Sequence, residues 1–181
     1  RRPDLYASGL LCSADRLMEL YMKLKTPVIM RKFNADTMVD PERAIVANLY
    51  ESLIRFEADL AKEHVNLTDT QMKGLVEEFV NTTLDYGLVA FNAFKEPVGL
   101  LFVDKGQPYE IAGLYVSPEV RSSGVGERLI RVLQVNLGNI PVQVQCFVGN
   151  LRAMEFYKRV GFEFELGSMF NKGTLPSRVA I

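Results

Sequence analysis

The apolar residues of this chain recur with two periods, and the change from one to the other falls near Asp85. Ahead of it, spacings of three and four dominate. Leu17, Leu20, Tyr21 and Leu24 form one stripe within residues 5–24, which predicts an N-terminal helix over a segment (1–25) lying outside the main domain. VIMRKFN, residues 28–34, alternates and predicts a first strand. Asp40 as N-cap and Pro41 at the first helical position then open a long helix with Ile45, Leu49, Leu53, Phe56 and Leu60 as its apolar stripe. A second helix starts at Thr68, where Gln71 completes a capping box, and it turns Met72, Leu75, Val76 and Phe79 inward.

Beyond Asp85 the pattern is extended. YGLVAFNA and PVGLLFV are joined by the turn FKEP, and a second turn, DKGQP, leads to YEIAGLYVS, so three strands form an antiparallel meander. A helix follows, with Leu129, Ile130, Leu133 and Leu137 inward and Gly138 at its end. In PVQVQCFVG the residues Val142, Val144, Cys146 and Val148 share one face of a fifth strand. NLRAMEFYKRVG is a short helix capped by Asn150 and closed by Gly161. FEFELGSMF is a sixth strand, and the tail NKGTLPSRVAI has room for a short seventh. The element order is β-α-α-β-β-β-α-β-α-β.

Length and composition narrow the function classes. With 181 residues and 48% hydrophobic content the chain can bury one good core, and residues 26–181 are expected to form one domain. A formal charge of -1 without a long basic run argues against nucleic acid as a partner. No apolar run reaches the ~18 residues of a membrane span, and RRPDLYASGLLCSA makes a poor signal peptide, so a cytoplasmic protein without membrane partners is expected. Cys12, Cys146 and the single His64 have no metal-ligand spacing, so no metal is expected, and His64 is given no role.

The stretch VRSSGVGERL, between the fourth strand and the third helix, carries the first chemical signal. Two glycines let a ligand approach the backbone closely, and the N-H groups of a helix start suit an anion. A phosphate loop of the G-K-[ST] kind is excluded, because Glu127 and Arg128 follow Gly126. A dinucleotide fingerprint is disfavoured too, since the third glycine is missing and the preceding strands form a meander.

These residues resemble the GNAT superfamily of N-acetyltransferases. Its R/Q-x-x-G-x-G/A loop is matched by Arg121, Ser122, Ser123, Gly124, Val125 and Gly126. Its later motif N-x-x-A-x-x-F-Y-x-x-x-G-F is matched by Asn150, Ala153, Phe156, Tyr157, Gly161 and Phe162. The resemblance spans residues 27 to about 170 and implies an α/β (α+β) fold: a mixed, mostly antiparallel sheet of six to seven strands flanked by about four helices. It also implies acetyl-coenzyme A as co-substrate. Its pyrophosphate would lie in a nest of N-H groups from Ser122 to Gly126, with Arg121 fixing the loop. Its pantetheine arm would run along backbone groups of Leu114 and Val116. Gly113 in that strand marks either a bulge that opens this edge or a packing position.

The implied reaction moves an acetyl group to a primary amine, which is protonated at neutral pH at a cost of roughly 4 to 5 kcal/mol to reverse. Glu110 stands at the spacing from Arg121 where some members of the family place a proton-accepting glutamate. Plain alternation puts it on the side of Ala112 and Leu114, and a bulge would change that phase; the alternative is an exposed strand-end carboxylate. Tyr157 matches the family's general acid, and hydrogen bonding to the departing sulfur is the role its ordinary pKa permits. Asn150 caps its helix, contacts the cofactor, or does both. Cys146, in an apolar alternation, reads as a buried structural thiol, so direct transfer without an acyl-enzyme is expected. Residues 40–85 carry ten acidic and four basic side chains, which read first as solvated helix faces; the resemblance implies that this helical pair walls the acceptor site, where a cationic small molecule or peptide would fit. A catalytically silent acyl-coenzyme A-binding or protein-interaction module on the same fold is the competing class. The N-terminal stripe packs on its own core or on a second subunit of a homodimer.

Overall fold

A computed structural model describes residues 29–33, 38–60, 66–81, 86–104, 106, 108–138, 140–167 and 170–175. The expected N-terminal helix and His64 lie outside these residues. Seven strands form one sheet: β1 (Ile29–Phe33), β2 (Tyr86–Phe91), β3 (Pro97–Asp104), β4 (Tyr109–Val116), β5 (Val142–Phe147), β6 (Glu163–Glu165) and β7 (Phe170–Leu175). The helices are α1 (Asp40–Leu60), α2 (Asp69–Asn81), α3 (Val125–Leu137) and α4 (Leu151–Arg159). The strand order is β1-β2-β3-β4-β5-β7-β6, and β4 with β5 is the parallel pair among otherwise antiparallel neighbours.

Two cores cover the two faces of this sheet. Leu88, Leu101, Val103, Ile111, Val144 and Cys146 pack with Leu129, Ile130 and Leu133 of α3 and with Tyr157 of α4. Val89, Leu100 and Phe102 pack on the opposite face against Val46, Leu49 and Leu53 of α1 and Phe79 of α2. Leu100 and Leu101 are both wholly buried although they point to opposite faces, because helices lie on each side.

Several local expectations change in detail. The first intrahelical bonds of α1 run from the N-H groups of Glu42 and Arg43 to the carbonyl of Val39, so Val39 is the cap and Asp40 the first helical residue. Glu42 reaches back to the Val39 N-H at 3.3 Å, supplying half of a capping box. Val46 replaces Ile45 as the fully buried member of the stripe, while Leu60 is 37% and Leu75 38% exposed. The capping box of α2 forms as expected, with the Thr68 N-H donating to Gln71 Oε1 at 2.9 Å and the Gln71 N-H to Thr68 Oγ1 at 3.3 Å. The single sixth strand expected over FEFELGSMF divides, ending at Glu165, and the chain returns as β7 between β5 and β6. Periodicity cannot foresee that order, because it reports which face a residue occupies and not which strand lies beside it.

Candidate active site

β4 and β5 pair at Tyr109↔Val142, Glu110↔Gln143 and Ile111↔Val144, and there the pairing stops. Past that point β4 continues to Val116 against β3, and β5 continues to Phe147 against β7. The two strands part, leaving one edge of β4 without a strand partner. A cleft of about 890 Å³ opens there, lined by α1, both strands, the glycine loop and α4.

A bulge sets the geometry of β4. Phe102 faces Gly113 and Val103 faces Ile111, so Ala112 is the extra residue. Both readings of Gly113 hold at once: it adjoins the bulge, and it makes room for packing. A Cβ there would lie 2.0 Å from the Phe102 ring and 2.8 Å from Cδ2 of Leu53. The bulge also changes the phase of Glu110. Leu114 and Val116 pack toward the α3 and α4 core, whereas Glu110, paired across from Asp104, belongs to the α1 face. Glu110 lines the cleft from that side.

In the glycine loop, Ser122 (φ 66°) and Gly124 (φ 86°) are both left-handed. The first intrahelical bond of α3 joins the Arg128 N-H to the Gly124 carbonyl at 3.0 Å, so the N-H groups of Val125, Gly126 and Glu127 precede it and point out of the helix start. The two glycines act differently. Gly124 has open space where a Cβ would be and is restricted by its backbone angle, whereas at Gly126 a Cβ would press the Phe156 ring at 3.2 Å. Arg121 braces the loop: its Nε donates to the Val116 carbonyl at 3.0 Å, and its guanidinium lies 4.8 Å over the Phe56 ring. Ser123 departs from the expected nest. Its hydroxyl donates to the Val120 carbonyl at 2.6 Å and its N-H to the same oxygen at 3.3 Å, so it ties the loop internally.

Tyr157 lies on the opposite wall, 5% exposed, with its ring edge-on to Phe156 and Phe162. Burial, then the nearby Cys146 and Glu57, push its hydroxyl well above the usual tyrosine range, so it stays a neutral donor. Burial, with Glu57 adding to it, raises the Cys146 thiol to about 12, which makes it a poor nucleophile. Asn150 is the α4 cap, its Oδ1 accepting from the Ala153 N-H at 3.1 Å, and it also lines the cleft.

Glu57 of α1 lines the same cleft and was not singled out from the sequence. Burial raises its carboxyl above the ordinary carboxylate range. The side chain is nevertheless open to solvent, because it projects into a concavity whose walls crowd it on the protein side. Along a helix such a glutamate looks like any solvated position, and only its place four residues after Leu53 hinted otherwise. Among the described residues, no group of three or more His, Cys, Asp or Glu side chains is arranged to hold a metal ion, and no helix is long and apolar enough to cross a membrane.

Comparison with known proteins agrees with this geometry. Residues 85–164 match the family model described as Acetyltransferase (GNAT) domain. Among solved structures, the histone acetyltransferase HPA2 and related acetyltransferase of Corynebacterium glutamicum superposes with a TM-score of 0.64 at 15% identity, over 83% of this chain and 98% of that one. A PaiA N-acetyltransferase of Thermoplasma acidophilum, in complex with coenzyme A, gives 0.64 at 14% identity, over 83% and 99%. At these identities the likeness is one of fold. No curated protein matches the sequence.

Proposed function

Residues 85–164 match the GNAT acetyltransferase domain, and from that premise we propose that the chain moves the acetyl group of acetyl-coenzyme A to a primary amine by direct attack, in a ternary complex. The observation that carries this reading is the splay of β4 from β5, with the glycine loop at one end and Tyr157 in its wall.

The site residues fit the co-substrate. The N-H groups of Gly124, Val125 and Gly126, at the positive end of α3, suit a pyrophosphate. The left-handed turns at Ser122 and Gly124 shape that concavity, and Arg121 holds it to β4. Leu114 and the N-H of Val116, whose carbonyl already accepts from Arg121, offer the edge of β4 to the pantetheine amides, as a strand would. A neutral Tyr157 hydroxyl donates a hydrogen bond to the sulfur as the thiolate leaves, without full transfer of its proton. Cys146, held protonated, takes no acetyl group. On the acceptor side two carboxylates, Glu110 and Glu57, line the cleft, and Glu110 is the one the family resemblance implies as base. Their charge favours a cationic acceptor.

Calorimetry with acetyl-coenzyme A, followed by thiol release across a panel of amines, tests the proposal. Binding with turnover supports it. Absence of binding overturns it, and binding without turnover on any amine makes the protein an acyl-coenzyme A-binding module.

A further inference from the structure

Glu57 belongs to neither motif, yet two fixed contacts hold it over the open part of the cleft. Leu53, one helical turn earlier on α1, meets β4 at Gly113, and Phe56, the preceding residue, covers the Arg121 guanidinium. Both anchors lie past Ile111, where β4 and β5 have already parted. α1 covers one face of the sheet, whereas Cys146 and Tyr157 belong to the other. An unbroken sheet would separate them. Through the splay, the Glu57 charge bears on both. Glu110 sits instead at the closed end, beside Gln143 on β5 and Asp104 on β3. Among the described residues no hydrogen bond or ion pair occupies the Glu57 carboxylate, so it is available to a ligand.

We propose that Glu57, acting across the splay from Tyr157, is the group that takes the proton of the acceptor ammonium. This rests on the acetyl-transfer reading above. The acceptor enters from the α1 side as a cation and gives one proton to the Glu57 carboxylate. Its freed nitrogen pair attacks the thioester carbonyl carbon, forming the C-N bond. As the tetrahedral species collapses the C-S bond breaks, its electron pair leaves with the sulfur, and the second N-H proton ends on that sulfur. The products are the N-acetyl amide and the free thiol, and Glu57 returns its proton to solvent. Attack and departure then occur from opposite sides of the thioester, one facing α1 and the other α4. The raised proton affinity of Glu57 suits this work, since a base whose pKa lies closer to the working pH accepts a proton at lower cost.

The experiment compares Glu57→Gln with Glu110→Gln in the full chain, on amines of graded basicity. For strongly basic amines, Glu57→Gln is expected to lower kcat/KM by about 10² to 10⁴, with cofactor affinity by calorimetry unchanged, which also shows that the variant is folded. Glu110→Gln is expected to lose less than about tenfold, below the usual general-base loss. The Glu57→Gln loss should shrink for acceptors already neutral at the assay pH, and Glu57→Asp should recover part of the rate. Wild-type turnover by Glu57→Gln overturns the inference, as does a large loss confined to Glu110→Gln, which would make Glu110 the base. If the unaltered protein binds acetyl-coenzyme A but acetylates no amine, the transfer reading falls and takes this inference with it.

Discussion

The two walls of the cleft are built from different materials. The glycine-loop wall is backbone: left-handed turns at Ser122 and Gly124, and N-H groups at the start of α3, all within a few consecutive residues. The α1 wall is made of side chains, with Glu57 from a helix and Glu110 from a bulged strand, more than fifty residues apart in sequence. The first can be specified by a short motif, because its geometry is local. The second exists only after the sheet has formed and split. The glycine loop is therefore expected to respond to backbone changes, and the α1 wall to changes of charge.

The largest effect should come from breaking the loop. Gly124→Asp places a side chain in a strained left-handed position and a negative charge at the anion site, and calorimetry should detect no binding of acetyl-coenzyme A. Gly124→Val keeps the strain without the charge; a loop that relaxes out of the left-handed turn must recover it to bind, at about 1 to 3 kcal/mol, or roughly 5- to 150-fold in affinity. Gly124→Asn should be milder than either, since asparagine enters this region more readily and the site has open space for its Cβ. If Asn proves as damaging as Val, the restriction at Gly124 is steric after all.

On the other wall, Tyr157→Phe removes the hydrogen bond proposed for the developing thiolate. A loss of about tenfold to a hundredfold in kcat is expected, with cofactor affinity unchanged. Across thioesters of graded leaving-thiol pKa, the dependence of kcat on that pKa should then steepen, because the departing sulfur must carry its charge unaided. An unchanged rate would reduce Tyr157 to packing against Phe156 and Phe162.

Cys146→Ala should change kcat by no more than a few-fold. With the thiol raised to about 12, only about one in 10⁴ molecules carries the thiolate at pH 8, and alkylation of the native protein should be slow. Trapping an acetylated Cys146 would refute direct attack.

The smallest effect separates charge from catalysis. The raised folded-state pKa of Glu57 means that its ionised form is disfavoured in the folded protein. Below the unfolded pKa of about 4.3 the group is neutral in both states and costs nothing; the penalty grows as pH rises through that value and levels off above the folded pKa. Glu57→Gln should therefore melt above the wild type at pH 8, and the gap should close by about pH 4. A gap independent of pH would mean that shape and not charge distinguishes the variant.

The fold was largely legible because its signals are local. The capping box at Thr68 and Gln71, the glycine that ends α3 at Gly138 and the Asn150 cap depend on residues three or four apart, and each forms as expected. Where the reading shifted, a nonlocal contact intervened. Ser123 turns both its donors to Val120 and so leaves the expected nest. Glu110 changes face because Ala112 bulges, and the bulge reflects how β3 and β4 pair around the Phe102 ring.

By itself the sequence determined the period of each element, the glycine loop ahead of α3, and the helix that carries Tyr157, because hydrogen bonding within a turn or a helix needs only near neighbours. Tertiary structure alone decided that β7 lies between β5 and β6, that β4 and β5 part after three paired positions, and that Glu57 faces the gap they leave. Strand neighbours and cleft walls are set by which distant surfaces bury best together, and a periodic pattern records that a surface is apolar without recording what covers it.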